Sequence, residues 1–325
     1  RTEYDATTGE NLGALIEGGS TNTMTYSEEI SAWYPYNGGG LQTLNITDNY
    51  GLAPDNTMSA SRLSGSLVDA TSNSRIVIMQ GPVTGSNITL SFWVKSLNGN
   101  YDAQFHFKGQ AQGTVSMTSE WKRVSISGVT VNATENFGID LKGSFVSSLD
   151  FDFLIWGAQV ENKQFASSYI RTEGAAVSRS SDVLSLPVTS IPAPSLEQTI
   201  VANFDIYGRF SNGRVYEIGG VASGRRHIYV PTSGTDLGYR YQNASTTMTL
   251  LDDKVFKTVS SFDGTSVKFY SNKELAFSIS PTELGNSSTV FKIGSNALNT
   301  EQLNGHISKL STYAQALTQQ EITLL

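Results

Sequence analysis

Few side chains in this 325-residue chain are equipped for covalent chemistry. It has no cysteine and three histidines, His106, His227 and His306. The missing thiols exclude disulfides and thiolate metal sites. No histidine stands near a Gly-x-Ser-x-Gly nucleophile turn, and no HExxH, P-loop or post-strand GxGxxG pattern occurs. Glycoside hydrolysis needs two carboxylates facing each other across a sugar. Such pairs can converge from distant strands, so a polysaccharide depolymerase stays open as the minor reading.

What remains is recognition chemistry, in four places. The densest basic patch is GRRHIY over residues 224–229. The guanidinium forks of Arg225 and Arg226 match carboxylates and phosphates bidentately, and Tyr229, Tyr239, Arg240 and Tyr241 could add a stacking surface. The plainer alternative is a charged loop or strand end. Around residue 105, Tyr101, Ala103, Phe105 and Phe107 share one strand face, while Asp102, Gln104, His106 and Lys108 share the other. That polar strip reads as a glycan-contacting surface or as a solvated outer face. His106 has no second histidine nearby with which to hold a metal.

Tyr34 and Tyr36 precede three glycines, Gly38 to Gly40, and could stack on the apolar C–H faces of sugars. Neighbouring Trp33 reads instead as a core plug. Asp150 and Asp152 alternate onto one face and could serve a structural calcium, which wants clustered oxygens; two carboxylates alone are not a site. No other cofactor is expected.

These candidates must be carried by strands. From Ser86 to Lys95, Ile88, Leu90, Phe92 and Val94 alternate inward, with Trp93 on the opposite face. At Asp150 to Trp156 both faces are apolar: Phe151, Phe153 and Ile155 on one, Leu154 and Trp156 on the other. That fits a strand enclosed within a sheet or between layers. The composition then turns small and polar, with Gly174 and a serine run, which marks a seam between two domains. Pro187, Pro192 and Pro194 stiffen the linker. Ile200, Ala202, Phe204 and Ile206 open a second strand set, with further strands expected over 214–218, 226–230, 237–242, 247–251, 255–262, 266–270, 275–279 and 289–294. Asp263-Gly264 between apolar runs reads as a tight turn. Thr318 and Glu321 have capping-box spacing, so a short terminal helix should start there. The first residues are polar and extended, with an apolar knot at Leu12, Leu15 and Ile16. They read as a tail along their own domain or as an arm docking on a neighbouring subunit.

Composition agrees. Hydrophobic residues make up 38% and charged residues 16%, so the surface is rich in uncharged small polar residues, as in β-rich extracellular and virion proteins. The net charge of −7, without a basic block, argues against nucleic acid and anionic membranes. No apolar run reaches the length of a membrane span, and no leader pattern is visible. The chain opens at Arg1 without methionine, consistent with further residues upstream.

The segment IWGAQVENKQFASSYIRTEGAAVSRSSDVLSL, residues 155–186, resembles one recurrent in bacteriophage tail and fibre proteins. There a carbohydrate-binding-module-like jelly roll closes on a WGAQLE strand, and a concanavalin A-like (laminin-G-like) sandwich commonly follows. TEYDATTGENLGALIEGGSTNTMTYSEEISAW is similar to the opening of that family. KVFKTVSSFDGTSVKFYSNKELAFSI and LNGHISKLSTYAQALTQQEITLL resemble the middle and end of the laminin-G-like sandwich. Arg171 stands where the family often has proline, which loosens the linker there, and Asn272-Lys273 replaces the usual Asn-Gly. The E-x-D-x-x-E strand of concanavalin A-like glucanases is absent.

The resemblance implies an all-β chain of two β-sandwich (jelly-roll) domains in tandem with a short C-terminal helix. The expected boundaries are an arm over 1–30, a jelly roll over 31–172, a linker over 173–195 and a concanavalin A-like sandwich over 196–325. It also implies a non-enzymatic virion-surface protein, a tail fibre, spike or head fibre assembled in the host cytoplasm. Host-surface polysaccharide or lipopolysaccharide and other virion proteins would be its partners, and a homotrimer its common state. A capsid or tail decoration module that binds no sugar is the alternative, because fold does not fix function.

Overall fold

The computed structural model describes residues 2–4, 8–71, 73–107, 110–187, 189, 197–207, 212–219, 225–232, 236–241, 244–249, 255–280 and 290–325. In chain order the strands begin with β1 (Thr2–Tyr4), β2 (Asn11–Ile16), β3 (Ser20–Asn22), β4 (Tyr34–Asn37), β5 (Leu41–Gly51) and β6 (Ala60–Leu67). Then come β7 (Arg75–Ser96), β8 (Tyr101–Phe107), β9 (Gln110–Met117), β10 (Lys122–Lys142), β11 (Asp150–Asn162) and β12 (Val177–Arg179). The rest are β13 (Leu184–Pro187), β14 (Gln198–Asp205), β15 (Gly213–Ile218), β16 (Arg226–Val230), β17 (Asp236–Tyr241) and β18 (Ala244–Thr249). The series ends with β19 (Val255–Phe262), β20 (Val267–Ser271), β21 (Glu274–Ile279), β22 (Val290–Ile293), β23 (Gly305–Tyr313) and the helix α1 (Gln319–Leu324). The fold is all-β, two sandwiches with one short C-terminal helix. That helix is not long enough to cross a membrane.

The chain forms two compact units, residues 20–179 and residues 1–19 with 180–325. The first sandwich is therefore inserted into the sequence of the second. Its main sheet runs β5-β6-β11-β7-β10-β8-β9, with β4 added beside β7. β7 and β10 pair along most of their length, with repeated register shifts between Ile126 and Phe137. The early part of β7 pairs with β4 and the later part with β11; register shifts of this kind bend and twist a long ribbon. Phe92, Phe105, Phe137, Phe151 and Phe153 fill the core, each such ring worth about 1.5–3 kcal/mol of burial. On the other face of β11, Leu154 and Trp156 pack with Ala53, Ala60, Trp93, Trp121 and Tyr169, which explains a strand apolar on both sides. Trp33 is a core plug, its Nε1 donating to the Tyr26 carbonyl at 2.7 Å.

The second sandwich stacks a seven-stranded sheet, β1-β2-β23-β14-β19-β20-β21, on a six-stranded one, β13-β22-β15-β16-β17-β18. Phe204, Tyr216, Ile228, Tyr239, Phe256, Phe269 and Phe291 fill the space between. On the outer face of the seven-stranded sheet, Val201, Val259 and Tyr270 receive Leu317 and Ile322 of the helical end. Thr318 and Glu321 form the expected capping box.

The N-terminal residues do not stand apart as an arm over 1–30. β2 pairs with β23 through Ala14, Leu15 and Ile16, and β1 pairs with β2. The apolar knot seen in the sequence is thus the core side of a strand. Buried His306 on β23 lies between Asp205, Nδ1 to Oδ2 2.9 Å, and Glu3, Nε2 to Oε2 3.0 Å. Nor is 173–195 simply a linker: β12 pairs with β3, and β13 pairs with β22. Both strands are short and exposed on both faces, so they carry no apolar alternation to announce them. Pro192 and Pro194 lie outside the described residues.

Candidate binding site

The outer face of the six-stranded sheet carries a cavity of about 490 Å³ lined by Arg214, Glu217, Arg225, His227, Tyr229, Arg240 and Ser245. Strand register builds it. Glu217 on β15 pairs with His227 on β16, His227 with Arg240 on β17, and Arg240 with Ser245 on β18. Paired residues point to the same side, so these four form one polar row across four strands. A second row runs Arg214, Tyr229, Gly238, Thr247. Between the two, Tyr216, Ile228 and Tyr239 form the inward row.

Arg214 and Glu217 are three apart and on a regular strand would face opposite ways. A register shift between Arg214 and Tyr216 returns both to the outer face, the effect of a β-bulge. Gly238 serves a different need: a Cβ there would lie 2.1 Å from the Tyr229 ring. Only glycine lets that ring lie across β17.

The loop between β22 and β23 closes one end with Asn296, Leu298, Thr300 and Glu301. It is tied down internally and to the sheet. The Asn296 amide donates to Thr300 Oγ1 and Glu301 Oε2, both at 2.9 Å, and the Ala297 N–H donates to Glu217 Oε1 at 3.0 Å. Arg214 donates to Glu217 Oε2 at 3.3 Å and reaches Glu301 Oε2 at 2.8 Å. Both cavity carboxylates are therefore held by one guanidinium. His227 is 2% exposed. Its burial, with Arg214, Arg225 and Arg240 around it, pushes its pKa down to about 2, so the ring is neutral at pH 7. Its Nδ1 has no hydrogen-bond partner and stands 3.6 Å from Glu217. Tyr229 meets the His227 ring edge-on at 5.4 Å between centroids, and the Arg214 guanidinium lies 5.3 Å from the Tyr229 ring centre.

Of the residues marked in the sequence, the structure gathers Arg225, Tyr229 and Arg240 at this cavity. Arg226 and Tyr239 are not there. Both occupy the inward side of their strands; Arg226 is 4% exposed, and Tyr239 packs on Phe269 and Phe277. Consecutive strand residues cannot share a face, which the grouping of Tyr239 with Arg240 overlooked. The Tyr241 side chain lies outside what the structure describes. Arg214, Glu217 and the 296–301 loop were missed, and no sequence signal announced the bulge or the loop. His227 was within GRRHIY but offered no partner by spacing.

The polar strip of the first sandwich has a different character. Asp102 and Gln104 are half-buried on β8, but His106 is buried at 4% exposure. Its Nδ1 lies 3.1 Å from Arg75 Nη2 and 3.3 Å from Asp140 Oδ2. It belongs to a closed interior cluster and not to a solvent-facing strip. Tyr34 and Tyr36 are exposed on β4. Tyr34 borders a shallower cavity of about 340 Å³ with Tyr26, Met79, Gln80 and Asn136; Tyr36 does not. The calcium reading of Asp150 and Asp152 meets an obstacle: Arg62 donates to both Asp152 oxygens at 2.7 Å. Among the described residues no cluster of three or more His, Asp or Glu is placed to hold a metal. The donor set does not fit the ion.

Residues 191–323 match the family model described as the concanavalin A-like lectin/glucanases superfamily, Laminin_G_3. No curated protein matches the chain. Among solved structures, the chain is similar to the Ruminococcus gnavus IT-sialidase CBM40 bound to α2,3-sialyllactose, at 15% identity and TM-score 0.35, over 40% of this chain and 82% of that one. The CBM22-1 xylan-binding domain from Paenibacillus barcinonensis Xyn10C matches at 11% identity and TM-score 0.30, over 48% and 98%. Mouse laminin α1 domains LG4-5 match at 9% identity and TM-score 0.34, over 97% and 93%. Likeness at this level carries no information about a site.

Proposed function

We propose that the chain is a non-enzymatic glycan-binding protein of a bacteriophage virion surface, a fibre or spike that attaches to host polysaccharide or lipopolysaccharide. The observation that carries the binding part is the Glu217–His227–Arg240–Ser245 row beside Tyr229. Hydroxyl-bonding groups on a rigid sheet, with an aromatic wall and an exposed Leu298 at the rim, suit a pyranose with its polar edge and apolar face. The virion part rests on the resemblance of residues 155–186 to phage fibre segments. Several copies on one particle would turn a weak single site into firm attachment.

The way the described cavity acids are held supports binding without reaction. Glu217 and Glu301 both bond to Arg214, so neither is arranged as a proton donor opposite a nucleophile. The test is retention of the protein on immobilised bacterial surface polysaccharides, with Tyr229→Ala as comparison and reducing-sugar release followed in parallel. Retention that Tyr229→Ala weakens at least about tenfold, with no sugar release, is the expected result. Release of reducing ends would overturn the non-enzymatic reading.

An assembly module remains the second reading. Its specific support is the run Val183, Leu184 and Leu186, all exposed, at edge strand β13. Apolar edge strands invite pairing with another chain. Absence of binding to every host polysaccharide, with capture of another purified virion protein, would favour it.

A further inference from the structure

We propose that the ligand of the cavity on the six-stranded sheet is an acidic sugar whose carboxylate pairs with Arg225, while the pyranose ring lies between Tyr229 and Leu298. This rests on the glycan-binding reading of the same cavity and adds the chemical class of the ligand.

Among the described residues, Arg214, Arg225 and Arg240 line the cavity with Glu217 and Glu301. Both carboxylates converge on Arg214. No carboxylate among the described residues pairs with half-buried Arg225. The protein as a whole carries a net charge of −7, so a cavity guanidinium without a carboxylate partner among the described residues is not a reflection of overall composition. Buried His227, with its unpartnered Nδ1 standing 3.6 Å from Glu217 Oε2, adds a polar group to which a guest could bond. An unanswered buried polar atom is costly, and the cost persists where a ligand supplies the missing partner.

Charge favours a carboxylate over a phosphomonoester. A guanidinium fork pairs with either in parallel hydrogen bonds, but the one guanidinium of Arg225 balances one negative charge. A phosphomonoester brings close to two charges at neutral pH. A sulfate ester carries a single charge but is tetrahedral, and the experiment separates it. The cavity volume, about 490 Å³, lies within the usual range for small-ligand sites, about 300–1,000 Å³.

The experiment uses the whole chain and matched ligand pairs. Immobilised glucuronate-, galacturonate- and N-acetylneuraminate-containing oligosaccharides are each presented in native and methyl-esterified form, alongside sulfated and neutral oligosaccharides. The expected result is binding to at least one native acidic member that falls by about tenfold or more on esterification. Arg225→Gln should produce the same fall with an unchanged melting temperature. Equal binding of native and esterified forms would overturn the acidic ligand and leave glycan binding standing. Preference for sulfated members, or acidic binding untouched by Arg225→Gln, would also overturn it. No binding to any sugar would sink both this proposal and the function on which it rests.

Discussion

Each sandwich contains an arginine, a carboxylate and a histidine brought together from separate positions, and the two sets are resolved differently. In the first, Asp140 is fully buried and accepts from Arg75 Nε at 3.0 Å and again from Arg75 Nη2. His106 Nδ1 lies 3.3 Å from Asp140 Oδ2 and 3.1 Å from the same arginine. Burial alone would raise the Asp140 pKa, but the bonds from His106 and Arg75 outweigh it and hold the carboxyl below its usual range. Every group there has an answer inside the protein. In the second, Glu217 is answered by Arg214 and the Ala297 amide, while His227 is left over and Arg225 faces the cavity. The difference lies in the partners: in the first sandwich the groups meet one another in the core, while in the second His227 Nδ1 has no hydrogen-bond partner and Arg225 has no carboxylate partner among the described residues.

The strongest way to break this comparison is to unbalance the closed set. Asp140→Ala would leave Arg75 and His106 without their shared acceptor. Removing one partner of a buried ion pair costs about 3–5 kcal/mol. Chemical denaturation of the first sandwich should register a loss of that order, and glycan binding by the remaining folded protein should not change. A loss below about 1 kcal/mol would mean that the cluster is not a structural pair.

Next in size is Gly238→Ala. Its Cβ would stand 2.1 Å from the Tyr229 ring, and overpacking of this kind costs about 1–3 kcal/mol. The ring must swing off β17, so binding should fall along with stability, in contrast to Asp140→Ala. Full retention of binding would remove Tyr229 from the site. At Gly138 the same substitution would drive a Cβ to 2.0 Å from the Ile78 carbonyl, opposite His106, with no expected effect on the cavity.

The two sets should also part company with pH. His227 has a folded pKa of about 2 against an ordinary 6.5. Below 6.5 the unfolded chain takes up a proton that the folded chain refuses, so stability present above 6.5 is lost as pH falls toward 2. Linkage sets the slope at no more than ~1.4 kcal/mol per pH unit. Asp140 has a depressed folded pKa, so its contribution is kept above the ordinary carboxylate range and lost only as pH falls below it. Between pH 6.5 and about 5.5 the second sandwich should therefore weaken more than the first, and His227→Gln should flatten the difference. An identical slope in wild type and variant would show that His227 is not the titrating group.

Much of the strand pattern was legible because each sandwich has one wet and one dry face. The series from Ile200 onward follows simple alternation, and the expected strands over 226–230 and 255–262 match β16 and β19 in their bounds. Thr318 and Glu321 announced their helix by spacing alone. What escaped was what depends on tertiary partners. β1 and β2 are strands because β23 offers an open edge, and β12 because β3 does. At the cavity, Arg225, Tyr229 and Arg240 were legible as a basic and aromatic cluster. Arg214 and Glu217 were not, since a bulge, and not their spacing, turns them to the same side. His106 looked solvent-facing by alternation, and is buried because Arg75 and Asp140 meet it from β7 and β10.

The smallest effect supplies the control that the larger ones need. α1 packs on the outer face of the seven-stranded sheet through Ile322, on the sheet opposite to the one that carries the cavity. Thr318 accepts from the Glu321 N–H, and Glu321 accepts from the Thr318 N–H at 2.8 Å. Thr318→Ala removes the cap at a cost of about 1 kcal/mol. If binding were simply a readout of stability in the second sandwich, Thr318→Ala would weaken it as it lowers the unfolding midpoint. If Arg225 and the Tyr229 wall are what bind, affinity should stay level while the midpoint drops. A parallel fall of both would mean that losses seen with Gly238→Ala report unfolding and not the site.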